Sequence, residues 1–548
     1  LNRRCNMRSR VSLFIALLTA FFLLTTGILP VSAQQLAEKQ VWRWGHHTSD
    51  LDTLDPAFAV PDMTYSAGNG VLNGLVRLKP GTLAFDKLEG DLAESWDISK
   101  DGLVYTFYLR KGVQWHKGYG EFTAEDVKFT FDRLRNPKLG APYAAKFLTI
   151  KDVKVVDKYT VQIILNAPST FFIMDQVLAY QAGMIVCKKQ GEEKGLKNLG
   201  NDIIGTGPFM FEDYKAKEKI TFVRNPDYFR GAPTLERLEM YFMPNVASRT
   251  MAFIKGDLDA IYGKRDSFWV EDVKKTKTVI VDAVPLGSGS ALHFNMTKKP
   301  LDNLKVRQAL ALATDRNIFR EFFGDIWHEM TAPVPPSYYA SLPKDKTPKE
   351  LIYGYDIDKA KKLLAEAGYK DGFKLTAYIT TKPYYKAIFE ICQDLWKPIG
   401  VDFEIKVVDH TTFHANIRKD MNDVVIYYAG RAPVADSYLT QFYYSKSAIG
   451  QPTQITNFSH YGEVDADGDG KVDSIDGYVE AARSELNPEK QKQLYYDAQL
   501  QLLKHVPSKP LQELTKVFAR HNWFDPGVEI EGSMIFGYPL EKAKILKH

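Results

Sequence analysis

From Asp356 to Tyr428 the chain reads helix, strand, helix, strand, strand, and this succession narrows the choice of fold more than any other feature of the sequence. Asp356 is an N-cap type, and Gly368 stands where a helix C′ glycine belongs. Leu375 to Ile379 and Phe403 to Val408 read as strands on either side of a helix at 384–397, and Asp423 to Tyr428 as one more strand. Strands alternating with helices make an α/β layer, so this region is predicted to be an α/β lobe. The whole chain, at 548 residues, exceeds what one hydrophobic core serves, and two or three structural units are expected.

The remaining elements follow from local pattern. Residues 41–45 alternate apolar and polar into His46-His47, a first strand ending at a loop. Leu103 to Leu109 is a second strand. Thr123 and Asp126 have capping-box spacing ahead of the apolar stripe Val127, Phe131, Leu134. Residues 153–165 give two strands around Asp157-Lys158, residues 205–224 a hairpin-like pair, and Met240 to Met243 a short strand. A helix and a strand fill 247–262. Asp302 and Asn303 offer caps for one helix running to about Phe323, and further helices are expected at about 476–484 and 488–505.

Arg3, Arg4, Arg8 and Arg10 precede an uncharged run from Val11 to Leu29, which leads into Pro30-Val31-Ser32-Ala33-Gln34. A charged segment, an apolar segment and small residues at −3 and −1 of a cut make an export signal, predicted here to be cleaved after Ala33. The alternative is an uncleaved anchor, since the apolar run approaches the ~20 residues that span a bilayer. No cysteine stands at the cut, so the mature chain is expected free in the periplasm. Four of the 71 basic residues lie in this signal, and the rest equal the 67 acidic residues. A neutral mature chain argues against nucleic acid as a partner. Cys187 and Cys392 are expected as separate buried thiols, with a disulfide as the alternative.

Six stretches, taken in order, are more specific. They are Leu109-Arg-Lys-Gly-Val-Gln-Trp-His116 with Phe122-Thr-Ala-Glu-Asp-Val127; Ile204-Gly-Thr-Gly-Pro-Phe209; Arg224-Asn-Pro-Asp-Tyr-Phe229; Lys255-Gly-Asp-Leu-Asp259; Phe294-Asn295 with Val306-Arg-Gln-Ala-Leu310 and Asp315-Arg316; and Tyr355-Asp356 through Leu364-Ala-Glu-Ala-Gly-Tyr369. Together they resemble the extracellular solute-binding proteins of family 5, the group of dipeptide-, oligopeptide- and nickel-binding proteins. The resemblance implies an α/β, two-lobed periplasmic-binding-protein fold of type II with an extra subdomain. Lobe one would be 34–293 plus 513–548, with the subdomain inserted near 77–203, and lobe two 294–512. It further implies a monomeric substrate-binding subunit of a peptide-type ABC importer. Such a subunit closes on a peptide or other small solute by hinge motion and delivers it to membrane permease subunits. An enzyme is not expected: there is no nucleophile elbow or His-Glu-x-x-His pair, and Ser288 between Gly287 and Gly289 lacks the elbow's spacing.

In peptide-binding relatives the loop after the strand at 424–428 carries an Asp for the ligand's amino group. Anchoring Asp436-Ser437-Tyr438-Leu439 on the family's aspartate–aromatic pattern places Arg431 at that position. A guanidinium repels an ammonium and forks onto a carboxylate or phosphate, so an anionic group on the ligand is expected to face Arg431. Pairing of Arg431 with a carboxylate such as Asp436 is the alternative. Tyr427 and Tyr428 point to opposite faces of a strand, and Tyr428 is expected in the cleft. His46 and His47 are expected on the opposite wall. Their spacing with Asp50 and Asp52 fits no specific metal pattern.

The sharpest local signal is Asp465-Ala-Asp467-Gly-Asp469-Gly470-Lys471-Val472-Asp473-Ser-Ile-Asp476. Acids occupy positions 1, 3, 5, 9 and 12 of a calcium loop, Gly470 takes the sharp turn at position 6, and Lys471 supplies the carbonyl of position 7. The loop resembles those of dockerin modules, which also end on Asp. A structural Ca²⁺ is expected, with a charged surface turn as the alternative.

Overall fold

The computed structural model describes residues 35–548 apart from 59–66, 69, 84–87, 142–143, 170, 178–182, 196–198, 431–432, 452–455 and 533–536. Its spine is one large sheet. In spatial order the strands are Phe209–Lys215, Lys219–Arg224, Arg237–Phe242, Val41–His46, Ala260–Tyr262, Ser508–His521, Val279–Phe294 and Val424–Ile426. Val41–His46 runs parallel to both its neighbours, Arg237–Phe242 and Ala260–Tyr262. Trp42 and Trp44 on this strand are fully buried in the core beneath it.

Two strands are much longer than the rest. Val279–Phe294 and Ser508–His521 pair antiparallel from Val279 opposite His521 to His293 opposite Ser508. The register shifts between Pro285 and Gly289, where Pro285 has no N–H to give the ladder and Gly287 takes φ +68°. The buried carboxylate of Glu513 fills the gap, accepting the N–H of Gly287 at 3.0 Å and that of Ser337 at 3.2 Å. Residues 295–507 lie between these two strands in sequence and form the inserted part. Residues 35–278 and 522–548 form the outer part.

Within the inserted part, Phe373–Thr380 and Val401–Val408 pair in parallel around the helix Pro383–Trp396, the α/β unit expected from the sequence. Asp356 accepts the N–H of Lys359 at the start of Ile357–Glu366, and Gly368 adopts φ +86° past its end. Two expectations need correcting. The helix expected to run unbroken to Phe323 is two helices, Leu304–Ala313 and Arg316–Phe323, because Thr314 is extended and Asp315 caps a new start by accepting the N–H of Asn317. The strand expected to reach Tyr428 ends at Ile426.

In the outer part a separate antiparallel sheet holds Ala93–Ile98, Val104–Leu109, Thr160–Leu165 and Ile150–Asp157 in that order. The helix Ala124–Leu134 packs on it, with the Thr123 N–H donating to Asp126 Oδ2 at 2.9 Å. The two parts touch: Phe171 lies 6.0 Å from the Tyr495 ring and joins the cluster of Tyr438, Phe442 and Leu502. Cys187 and Cys392 are buried free thiols, and burial raises Cys187 to about 11. No described helix is long and apolar enough to cross a membrane.

Candidate functional site: a crevice at the strand ends

The parallel strands of both parts point their carboxyl ends toward the middle of the two long strands, the position that ligands occupy in α/β sheets. On the outer side the strand ends present His46, His47 and Tyr262. The His46 ring is fully buried, 4.5 Å from His47 and 5.4 Å from Tyr262. Its Nδ1 lies 3.0 Å from Thr48 Oγ1, while Nε2 is buried without a hydrogen-bond partner among the described residues. Burial holds His46 well below the usual imidazole range, and His47, Lys516 and Arg249 push the same way. His47 stacks on Tyr262 at 3.9 Å, and buried Lys516 reaches over that ring at 5.2 Å.

On the inserted side, Tyr428 lies against Tyr385 at 4.9 Å and Tyr384 at 5.3 Å, and its hydroxyl accepts from Gln512 at 3.2 Å. Tyr427 turns away toward His414 and Phe458. Burial raises the Tyr428 phenol above its usual value. The walls meet through Arg265, whose guanidinium sits 5.7 Å from the Tyr384 ring centre. Arg265 Nε is buried without a hydrogen-bond partner, and no carboxylate among the described residues pairs with it. Arg431 lies outside the described residues. Flanking it, Ala429 and Gly430 pair with Gly289 and Ser288, and Pro433 accepts the N–H of Tyr339. Asp436 is engaged within the inserted part, accepting from Arg483 Nε at 2.7 Å and from the Tyr495 hydroxyl at 3.3 Å.

Sequence reasoning did not single out Arg265, Tyr262, Tyr384, Gln512 or Lys516. The Tyr384-Tyr385 doublet just after a strand was the one available signal; the others converge from distant segments. A cavity of about 670 Å³ also opens beside the long strands, lined by Trp327, Ser337, Tyr338 and Glu513 among others. Gln512 and Glu513 alternate along one strand, so this cavity lies on the face opposite Tyr428. Burial raises the Glu513 carboxyl, and its oxygens are already taken by Ser337 and Gly287. It closes the register gap between the long strands.

The loop Asp465–Asp476 fits a cation in part. Carboxylate oxygens of Asp465, Asp467 and Asp469 lie within 4.8 Å of one another, and Gly470 takes φ +87°. Asp473 and Asp467 form a second group with His505. The Lys471 side chain points outward, 3.7 Å from Asp469. Asp476 opens the helix Asp476–Ser484 and accepts the N–H of Ser445 at 3.1 Å, so the carboxylate of position 12 is turned from the others.

Parallel strand ends from two parts of one chain, facing each other across two shared strands, define the fold of a periplasmic binding protein. The chain belongs to the bacterial extracellular solute-binding proteins, family 5 Middle, which match residues 87–450. The heme-binding protein A of Haemophilus influenzae is 34% identical over 64% of this chain and 66% of its own length. Matches to the next two curated relatives cover 64% and 69% of those proteins, so the chain spans about two thirds of their length. A solute-binding protein of A. tumefaciens R10, solved in complex with mannopinic acid, is 34% identical with TM-score 0.69, covering 93% of this chain and 100% of its own. The ABC transporter-associated periplasmic protein DppA of Helicobacter pylori, in complex with the peptide STSA, is 27% identical with TM-score 0.69, covering 94% and 99%.

Proposed function

We propose that this protein is the periplasmic substrate-binding subunit of a peptide-type ABC importer. It captures a small anionic solute between its two parts without transforming it, and hands the closed complex to membrane permease subunits. The partition into lobes at 293/294 and 512/513, export by cleavage after Ala33 and a monomeric state belong to the same proposal. The observation that carries the anionic reading is Arg265. A guanidinium that no carboxylate among the described residues pairs, held at the meeting of the two walls with its Nε buried and unpartnered, is a positive charge that a ligand's carboxylate or phosphate would satisfy. Arg431 adds a second such group from the sequence, and the acid bound by the A. tumefaciens relative is of the same class. Ca²⁺ in the loop Asp465–Asp476 is also proposed, held by Asp465, Asp467, Asp469, the Lys471 carbonyl and Asp473, with Asp476 joining on release from Ser445.

Mass spectrometry of the solute that co-purifies with the untagged protein tests this reading. The account expects an organic anion, bound about tenfold or more weakly by Arg265→Gln, since a charge-assisted bond contributes roughly 1.5–3 kcal/mol. A neutral or cationic ligand, or unchanged affinity in the variant, contradicts it.

A further inference from the structure

The helix His410–Arg418 carries two histidines one turn apart, and their Nε2 atoms approach to 3.3 Å. Two imidazole nitrogens on one tetrahedral ion, each at about 2.0–2.1 Å, lie about 3.4 Å from each other. Histidines at i and i+4 on one helix face are also the spacing with which zinc proteases hold their metal. The site is framed by rings: His410 lies 6.3 Å from Tyr385, and His414 lies 5.7 Å from Tyr427 and 5.2 Å from Phe413.

The surroundings suit ligation. His410 Nδ1 is 3.1 Å from Thr380 Oγ1, a contact that fixes the ring and, with the proton on Nδ1, makes Nε2 the acceptor that faces His414 Nε2. Asp409, next in the chain, is occupied in capping the helix through Thr411 and Thr412. Among the described residues no third His, Cys, Asp or Glu joins the pair.

We propose that His410 and His414 form a bidentate site for a divalent transition ion of borderline softness, Ni²⁺, Cu²⁺ or Zn²⁺. Two protein ligands leave the remaining coordination positions open to water. The site does not depend on the importer reading, because the helix holds the pair whatever the protein delivers.

The test is competition for Cu²⁺ and Ni²⁺ between a chromophoric chelator and the untagged full chain, compared with His410→Gln, His414→Gln and Thr380→Val. The expected result is one bound equivalent, tighter for Cu²⁺ than for Ni²⁺, and weakened about tenfold or more by either histidine substitution. Thr380→Val, which removes the orienting contact to His410 together with a long bond from the Lys382 N–H, gives a smaller loss. Paramagnetic resonance of the Cu²⁺ form shows two imidazole nitrogens in wild type and fewer in each histidine variant. Equal affinities across the set, an unchanged nitrogen pattern, or no binding in wild type overturns the proposal and leaves a hydrogen-bonded pair only. Unchanged thermal unfolding of the metal-free variants separates loss of ligand from loss of fold.

Discussion

Single residues carry the electrostatic logic of this protein. His293, on the long strand Val279–Phe294, stacks on Phe442 at 5.0 Å, and neither ring nitrogen has a partner among the described residues. Burial lowers it to about 3. The folded state therefore excludes a proton that the unfolded chain accepts near pH 6.5, so stability is complete above that value. It falls as pH drops toward 3, by about 1.4 kcal/mol per unit. His46 acts in the same direction. His293→Leu is expected to flatten this acid limb and to cost nothing near neutrality, since it removes two unsatisfied nitrogens. Urea titrations at about pH 5 and about pH 7 check this, and an unchanged difference between the two would refute it. At this scale the candidate site was half legible. His46, His47 and Tyr428 follow from the rule that strand ends face ligands, whereas Arg265 and Lys516 meet Tyr384 only after distant segments fold together.

Among the elements, those with caps and clean periodicity were readable. Ile357–Glu366, Pro383–Trp396, Asp476–Ser484 and Pro488–His505 all lie where the pattern puts them. The two longest strands were not. Ser508–His521 buries Lys509, Glu513 and Lys516 along an apolar ladder, so the alternation of polar and apolar residues that marks a strand is erased. Val279–Phe294 contains Pro285, Gly287 and Gly289, which read as a break and instead make the register shift. The calcium loop is legible as a motif, yet the pairing of Asp476 with Ser445 is invisible in it. If the loop holds Ca²⁺, chelation by EDTA lowers the melting temperature of wild type and leaves Asp467→Asn little changed. The loss is about 2.7 kcal/mol when Ca²⁺ had stood about a hundredfold above its Kd. A melting curve indifferent to EDTA would remove the ion.

Across the whole molecule, the two long strands are the only strands that pass from the sheet of the outer part into the inserted part among the described residues. A register shift with a proline and a left-handed glycine sits midway, held by Glu513, and is the place where the parts would turn on one another. Phe171 against Tyr495 and Arg265 against Tyr384 are contacts that join the two parts. A ligand stabilises closure only by the difference in its affinity for the two states. Small-angle scattering of the untagged protein, stripped of solute and then resupplied with what co-purifies, measures that difference in shape. The account predicts a larger radius of gyration when stripped and return to the compact value on resupply. An identical profile in both states, or recovery of the added compound in chemically altered form, contradicts it.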